Sequence, residues 1–149
     1  MPFSFEDATA NDAHALADLR VIAMQPSLEA VGRFDPIRAR ERFLSTFHAD
    51  NTQKIVSDGQ VIGFYVLIDR SDHLYLDHLY VLPERQGSGI GAAVIEHVKL
   101  LASHQNVPVR LCALRDSPAN AFYMGQGFGL QHEDSWDLYY QWVPATLTK

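Results

Sequence analysis

The strongest constraint on how this chain folds is a helix entered through clustered glycines. The stretch LPERQGSGIGAAVIEHVKLLA, residues 82–102, sets Gly87, Gly89 and Gly91 on alternate positions and then runs into an apolar helical repeat. Glycine loses more backbone freedom on folding than any other residue, so such a cluster marks a place where a Cβ would obstruct something. Ile90, Val94, Val98 and Leu101 step along one side of the helix that follows. A loop of this kind exposes successive backbone N–H groups at the positive end of a helix dipole, an arrangement suited to a pyrophosphate. Gln86 and Ser88 add side-chain donors.

Two nucleotide-binding patterns compete for the same residues. A phosphate loop of the ATPase kind fails, because no Lys-Ser or Lys-Thr follows the glycines. The dinucleotide fingerprint G-x-G-x-x-A is met by Gly87, Gly89 and Ala92, with Asp116 at a fitting distance for a ribose-binding acid. That fingerprint turns directly out of its strand, however, whereas Pro83, Glu84 and Arg85 intervene here. Too little chain follows for the remaining strand and helix units.

The chain has 149 residues, of which 47% are hydrophobic and 20% charged, enough for one well-cored domain and too few for two. No run approaches the roughly 18 apolar residues a membrane span needs. The start, MPFSFEDATANDA, lacks a basic segment followed by an apolar one, so a cytoplasmic protein with no membrane partner is expected. Cys112 is the only cysteine, and its setting in VPVRLCAL reads as a buried, inert thiol. A formal charge of −6 argues against nucleic acid as a partner. The one dense basic stretch, Arg38 to Arg42, is broken by Glu41 and reads as a solvated helix face.

Along the chain, FSFEDA reads as a strand and TANDAHALADLRVIAMQ as a helix capped by Thr9 or Asn11 and ended by Pro26. DPIRARERFLSTF has Asp35 as N-cap, Pro36 at its first position, and Ile37, Phe43, Leu44 and Phe47 to bury. QKIVSD and QVIGFYVLID are strands joined at Asp58-Gly59, a hairpin pair. HLYLDHLYVL is a strand that stops at Pro83. VPVRLCAL is another. SPANAFYMGQGF is a short helix with Ser117 as cap, Pro118 first and Gly127 as stop. DLYYQWV is a last strand. The sum is a mixed α/β domain around one sheet.

With these elements in place, VLPERQGSGIG resembles the acyl-CoA binding motif of the GNAT superfamily of acyl-CoA N-acyltransferases, Q/R-x-x-G-x-G/A, matched by Gln86, Gly89 and Gly91. SPANAFYMGQGF is similar to that superfamily's later motif, in which a short helix carries Phe-Tyr and closes on Gly-Phe: Phe122, Tyr123, Gly127 and Phe128 fall in register. Ser117 stands where Asn-Pro is common, and Gly125 where a charge is usual. The resemblance covers nearly the whole chain. It implies a single N-acetyltransferase domain over residues 1–149, with a central mixed, mostly antiparallel sheet flanked by helices. Acyl-CoA would bind at the splay between the two central strands. It further implies acetyl-CoA as acyl-donor co-substrate, with contacts from Leu79, Tyr80, Val81, Gln86, Gly87, Ser88, Gly89, Ile90, Gly91, Asn120, Phe122 and Tyr123. Among these, the main-chain groups of Leu79, Tyr80 and Val81 would hold the pantetheine arm and polarise the thioester carbonyl.

Acyl transfer from a thioester to an amine needs a neutral nucleophile, a polarised carbonyl and a proton for the departing thiolate. Tyr123 suits the last task, since a phenol of pKa about 10 matches a thiolate in basicity. It lies three residues after Asn120 on the same helix side, and the resemblance gives the matching tyrosine this role. For the base, strand alternation puts Tyr75, Asp77, Leu79 and Val81 on one face and Leu74, Leu76, His78 and Tyr80 on the other. By the resemblance, Asp77, Tyr75 and His73 stand where relatives carry a base or an acceptor-binding group. Asp77 is the first choice as base, a carboxylate whose pKa a half-buried cleft would raise. His78 has the better intrinsic pKa and the less favourable direction, and reads equally as a hydrogen-bonded core residue. Solvent is the third possibility.

No histidine pair has the spacing of a helical metal site, so no metal is expected. By the resemblance, the acceptor pocket would draw on Met24 to Phe34, the Asp77 face, and Tyr139 and Tyr140. The segment with Met24, Glu29, Arg33 and Phe34 serves as a substrate lid or as a core-packed connector. The expected acceptor is a small-molecule or peptide amine, with cationic amines favoured by the acidic chain. A homodimer is a habit of the family. Two other classes stay open: a non-catalytic CoA-binding or sensory domain, which would not need Tyr123, and a nucleotide-binding oxidoreductase, which would take NAD.

Overall fold

In the computed structural model, residues 2–30, 32 and 34–145 are described. Among them, four helices and seven strands are found, the strands forming one mixed sheet in the order β1-β2-β3-β4-β5-β7-β6. Two compact units share it. The first comprises Met1–Val66 with His78–Gly91, the second Leu67–Asp77 with Ala92–Lys149.

In the first unit, β1 (Ser4–Asp7) pairs antiparallel with β2 (Thr52–Ser57), which pairs antiparallel with β3 (Gln60–Asp69). The hairpin between β2 and β3 closes through Asp58 and Gly59 at φ 53° and 75°, the consecutive left-handed residues a two-residue turn demands. β4 (Leu74–Val81) begins in the second unit and ends in the first. There the Leu82 N–H donates to the Ile62 carbonyl at 2.9 Å. Gly63 of β3 lies so close to β4 that a Cβ would run into the Tyr80 carbonyl oxygen and stand 3.2 Å from Val81 Cα.

Helix α1 (Ala13–Ala30) buries Leu16, Ala17 and Leu19, and α2 (Pro36–Thr46) buries Ala39 and Phe43. Asp35 caps α2 as expected, accepting from the Arg38 N–H at 3.1 Å, with Pro36 at the first position. Phe43 meets Phe64 of β3 edge-on, ring centres 5.2 Å apart, which seats α2 on the sheet. Two expectations fail here. Pro26 does not end α1 but sits inside it, at the cost of the one hydrogen bond its missing N–H would have made. Ile37 is 70% exposed, because the inward side of α2 belongs to Ala39 and, one turn on, Phe43.

In the second unit, β4 pairs parallel with β5 (Val109–Leu114), β5 antiparallel with β7 (Asp137–Trp142), and β7 antiparallel with β6 (Gly129–Glu133). Among the described residues the parallel ladder has two rungs, Leu74 with Val109 and Tyr75 with Arg110. Helix α3 (Ile90–Gln105) buries Val94, Ile95, Val98 and Ala102 completely. Asn106 at φ 58° then lets the Val107 N–H return to the Ala102 carbonyl at 3.0 Å. Helix α4 (Ala119–Gly125) closes through Gly127 at φ 91°, and the Phe128 N–H reaches the Tyr123 carbonyl at 3.1 Å. Lys99 of α3 caps that end, its Nζ 2.5 Å from the Gln126 carbonyl and 5.2 Å from the centre of the Trp142 ring. Ser117 is not the cap of α4: Pro118 takes that position in helical geometry, with no side-chain cap bond. β6 had no expectation attached to it.

Candidate active site

The segment after β4 is built to present backbone. Pro83–Arg85 make one 3-10 turn, tied by the Arg85 N–H to the Leu82 carbonyl at 2.8 Å. Gln86 donates its amide to the Val81 carbonyl at 2.9 Å, and the Ser88 hydroxyl donates to the Arg85 carbonyl at 2.6 Å. Gln86 therefore ties the loop to the end of β4, and Ser88 ties the loop to itself. Gly87 and Gly89 stand at φ 82° and 86°, a region closed to residues with a Cβ except at the expense of strain. Among the described residues, none beyond the immediate chain neighbours comes within 4 Å of where either Cβ would be. The glycines are therefore set by conformation and by open space, not by crowding from the chain. Gly91 needs no such conformation and lies in the first turn of α3, behind Ile90, which is buried.

At the end of β4, His78 and Tyr80 share one face and Leu79 and Val81 the other, as alternation requires. The His78 ring packs against Phe43 at 5.5 Å and Tyr80 at 5.6 Å, with its Nδ1 3.3 Å from the Tyr80 hydroxyl. Arg20 of α1, a buried cation that sequence reasoning passed over, explains this cluster. Its guanidinium donates to the Ala39 carbonyl, reaches the Tyr80 hydroxyl from Nε at 3.4 Å, and lies 5.9 Å from the centre of that ring. His78 thus stands among aromatic and hydrogen-bonded neighbours, the surroundings of a core histidine.

In the second unit, Asp77 is exposed on the opposite face from Leu76. Tyr75 on the same face points its hydroxyl at Cys112 Sγ, 3.5 Å away. Burial pushes up both the Tyr75 phenol and the Cys112 thiol, so Cys112 stays a protonated, unreactive thiol at neutral pH. On α4, Tyr123 is only 8% exposed, its ring 5.3 Å from Phe122, 5.9 Å from Phe128 and 6.5 Å from Tyr140.

Asn120, one turn earlier, sends its amide nitrogen to the Leu114 carbonyl at 2.9 Å and the Ser117 carbonyl at 3.0 Å. Its amide oxygen receives the Tyr140 hydroxyl at 2.8 Å. Burial raises the Tyr140 phenol, which keeps it protonated and donating. Tyr140 is 1% exposed, so it belongs to the core and not to the wall of an acceptor pocket. Tyr139, facing the other way, donates to Asp134 at 2.8 Å and stacks on His132 with ring centres 4.3 Å apart. The bond to Asp134 pushes the Tyr139 phenol up to about 12.

Met24 and Glu29 lie on α1, where Gln25 donates to Glu29 at 3.2 Å, and Phe34 follows in the connector; Arg33 lies outside the described residues. Among the described residues, no three His, Cys, Asp or Glu side chains gather into a metal-binding group. No helix among them is long and apolar enough to cross a membrane.

This combination of a left-handed glycine loop feeding a helix, a central strand leading into it, and a short tyrosine-bearing helix defines a class. The family model described as an acetyltransferase (GNAT) domain matches residues 47–129, more than half of the chain, and the protein belongs to that family. It is thereby an acyltransferase of the kind that draws its acyl group from acetyl-CoA. The fold agrees with solved structures. The PaiA N-acetyltransferase of Thermoplasma acidophilum, crystallised with coenzyme A, superposes with a TM-score of 0.83 at 17% identity, over 96% of this chain and 99% of that one. An acetyltransferase of Thermus thermophilus gives 0.73 at 21% identity, over 96% and 97%. The ribosomal-protein-S18-alanine N-acetyltransferase of Escherichia coli gives 0.73 at 16%, over 99% and 97%. No curated protein sequence matches.

Proposed function

We propose that the protein is an N-acetyltransferase that moves the acetyl group of acetyl-CoA directly to a primary amine, with both substrates bound at once. The observation that carries this reading is the loop Gln86–Gly91, held in left-handed conformation with empty space at Gly87 and Gly89, in a chain of the GNAT family. Its backbone N–H groups and the first turn of α3 receive the pyrophosphate. The main chain of Leu79, Tyr80 and Val81 holds the pantetheine arm and polarises the thioester. Ile90, Gly91 and Phe122 complete the cofactor surroundings, with Asn120 close by on the helix that carries Tyr123. The acceptor is a small-molecule or peptide amine.

In the reaction, the amine nitrogen attacks the thioester carbonyl and the C–S bond breaks. The amine proton leaves through Asp77, directly or by way of water, and Tyr123 gives its proton to the coenzyme A thiolate before regaining one from solvent. Asp77, accessible on its face of β4, fits the base better than His78, whose Nδ1 is engaged with Tyr80. The presence of Tyr123 favours catalysis over a purely CoA-binding role. The antiparallel run β5-β7-β6 does not favour a dinucleotide oxidoreductase, which needs a doubly wound parallel sheet.

Parallel calorimetric titrations with acetyl-CoA, CoA, NADH and ATP test the donor, with micromolar binding expected for the two CoA species alone. An amine screen with thiol detection then gives turnover. There Tyr123→Phe is expected to lower kcat by about a hundredfold, as loss of a general acid does, while leaving acetyl-CoA affinity nearly unchanged. Full turnover by that variant ends the assignment of Tyr123 as the acid. Binding of NADH in place of CoA ends the acyltransferase reading.

A further inference from the structure

Asn120 has no amide hydrogen left to give a ligand. Its two N–H bonds are directed to the carbonyls of Leu114, the last residue of β5, and Ser117, the residue before the cap of α4. Its oxygen already accepts from Tyr140. The orientation of the amide is fixed by chemistry, since the nitrogen faces two carbonyl oxygens that can only accept, and the oxygen faces a hydroxyl that can donate. Three segments are pinned by one side chain: the end of β5, the turn into α4, and the middle of β7. α4 has seven residues and no side-chain cap bond at its start, so little within the helix itself fixes its position. Tyr123 is one turn on from Asn120, and its ring lies beside Tyr140.

We infer that Asn120 and Tyr140 are a positioning pair for Tyr123, and that Asn120 acts on the reaction through that tyrosine and not by contact with the cofactor. The Tyr140 hydroxyl is the donor that completes Asn120. Asn120 anchors the first turn of α4 to the strand end, and the anchored helix sets where the Tyr123 hydroxyl stands. Losing either bond leaves a part-buried polar group unmatched and lets the helix shift, which costs the proton transfer more than the binding of acetyl-CoA. This inference rests on Tyr123 being the acid.

The variants that test it are Tyr140→Phe, which keeps the packed ring and removes one oxygen, Asn120→Ala, their combination, and Tyr123→Phe as the reference. Tyr140→Phe is expected to lower kcat about tenfold with the KM for acetyl-CoA unchanged, and to shift the alkaline limb of the kcat profile, where the acid loses its proton. Asn120→Ala is expected to lower kcat further, again without raising that KM. The double variant is expected to be no slower than Asn120→Ala alone, because the two side chains form one device. Full turnover by Tyr140→Phe alongside a slow Tyr123→Phe overturns the positioning inference and leaves the acid in place. A raised KM for acetyl-CoA with unchanged kcat in Asn120→Ala overturns it in favour of direct cofactor contact. Full turnover by Tyr123→Phe overturns the acid assignment and the inference with it. Should Asn120→Ala not fold, Tyr140→Phe and its pH profile decide alone.

Discussion

Gly89 and Asp77 pose different residue-level questions. At φ 86° with no described residue beyond its chain neighbours within 4 Å of a Cβ, Gly89 meets no obstacle from packing, so the demand on it is conformational and, with a ligand present, spatial. Gly89→Val is expected to leave the fold intact by far-UV circular dichroism and to reduce acetyl-CoA binding below calorimetric detection. Asp77→Asn is expected to shift the pH profile of kcat/KM to the alkaline side, as loss of a base does; an unchanged profile returns the role to His78 or to water. The glycine loop was legible in the sequence because backbone conformation is a local property. The partners of Asn120 were not, since Leu114 and Tyr140 are brought to it by two separate strands, and neither was the demand on Gly63, whose neighbour Tyr80 belongs to the next strand. Arg20 escaped notice for the same reason: its partners Ala39 and Tyr80 come from α2 and β4.

Among the elements, the turn between β6 and β7 depends on one carboxylate. Asp134 accepts from the N–H groups of Asp137 at 2.7 Å and Trp136 at 2.8 Å, and from the Tyr139 hydroxyl, and these bonds hold its carboxyl below the usual range. A carboxyl depressed by folding adds stability above its unfolded pKa of about 3.9 and loses it as pH falls through the folded value. The protein is therefore expected to lose more melting temperature between pH 7 and strongly acidic solution than Asp134→Asn does, measured by calorimetric scans across that range. A variant with the same acid slope as the parent would show that the turn does not draw on that charge. Elements marked by local chemistry were readable in advance: the Asp58-Gly59 hairpin, the Asp35 cap and the apolar stripe of α3. β6 was not, since all five of its residues are exposed and carry no alternation of burial. Pro26 misled because α1 runs on through it, giving up the one hydrogen bond that its missing N–H would have made.

For the whole molecule, a net charge of −6 and an anionic donor make binding depend on backbone N–H groups more than on a basic surface. Saturation with acetyl-CoA at about a hundred times its Kd stabilises the folded state by about 2.7 kcal/mol. For a chain of this size that corresponds to a rise of roughly 5–10 °C in melting temperature. Thermal shift assays are expected to show this rise with acetyl-CoA and none with NADH or ATP. The fold class was legible because the order of elements and two motifs pointed the same way, whereas the sheet order depends on pairings no single segment encodes. The two-rung parallel ladder of β4 with β5 also has a kinetic meaning. Leu74 and Val109 are separated in sequence by the glycine loop and all of α3, so their meeting closes a long loop for little immediate return. The β2-β3 hairpin needs only a two-residue turn and can form on its own early in folding. The central parallel contact is expected to form late, making β4 the strand that waits for the rest of the sheet.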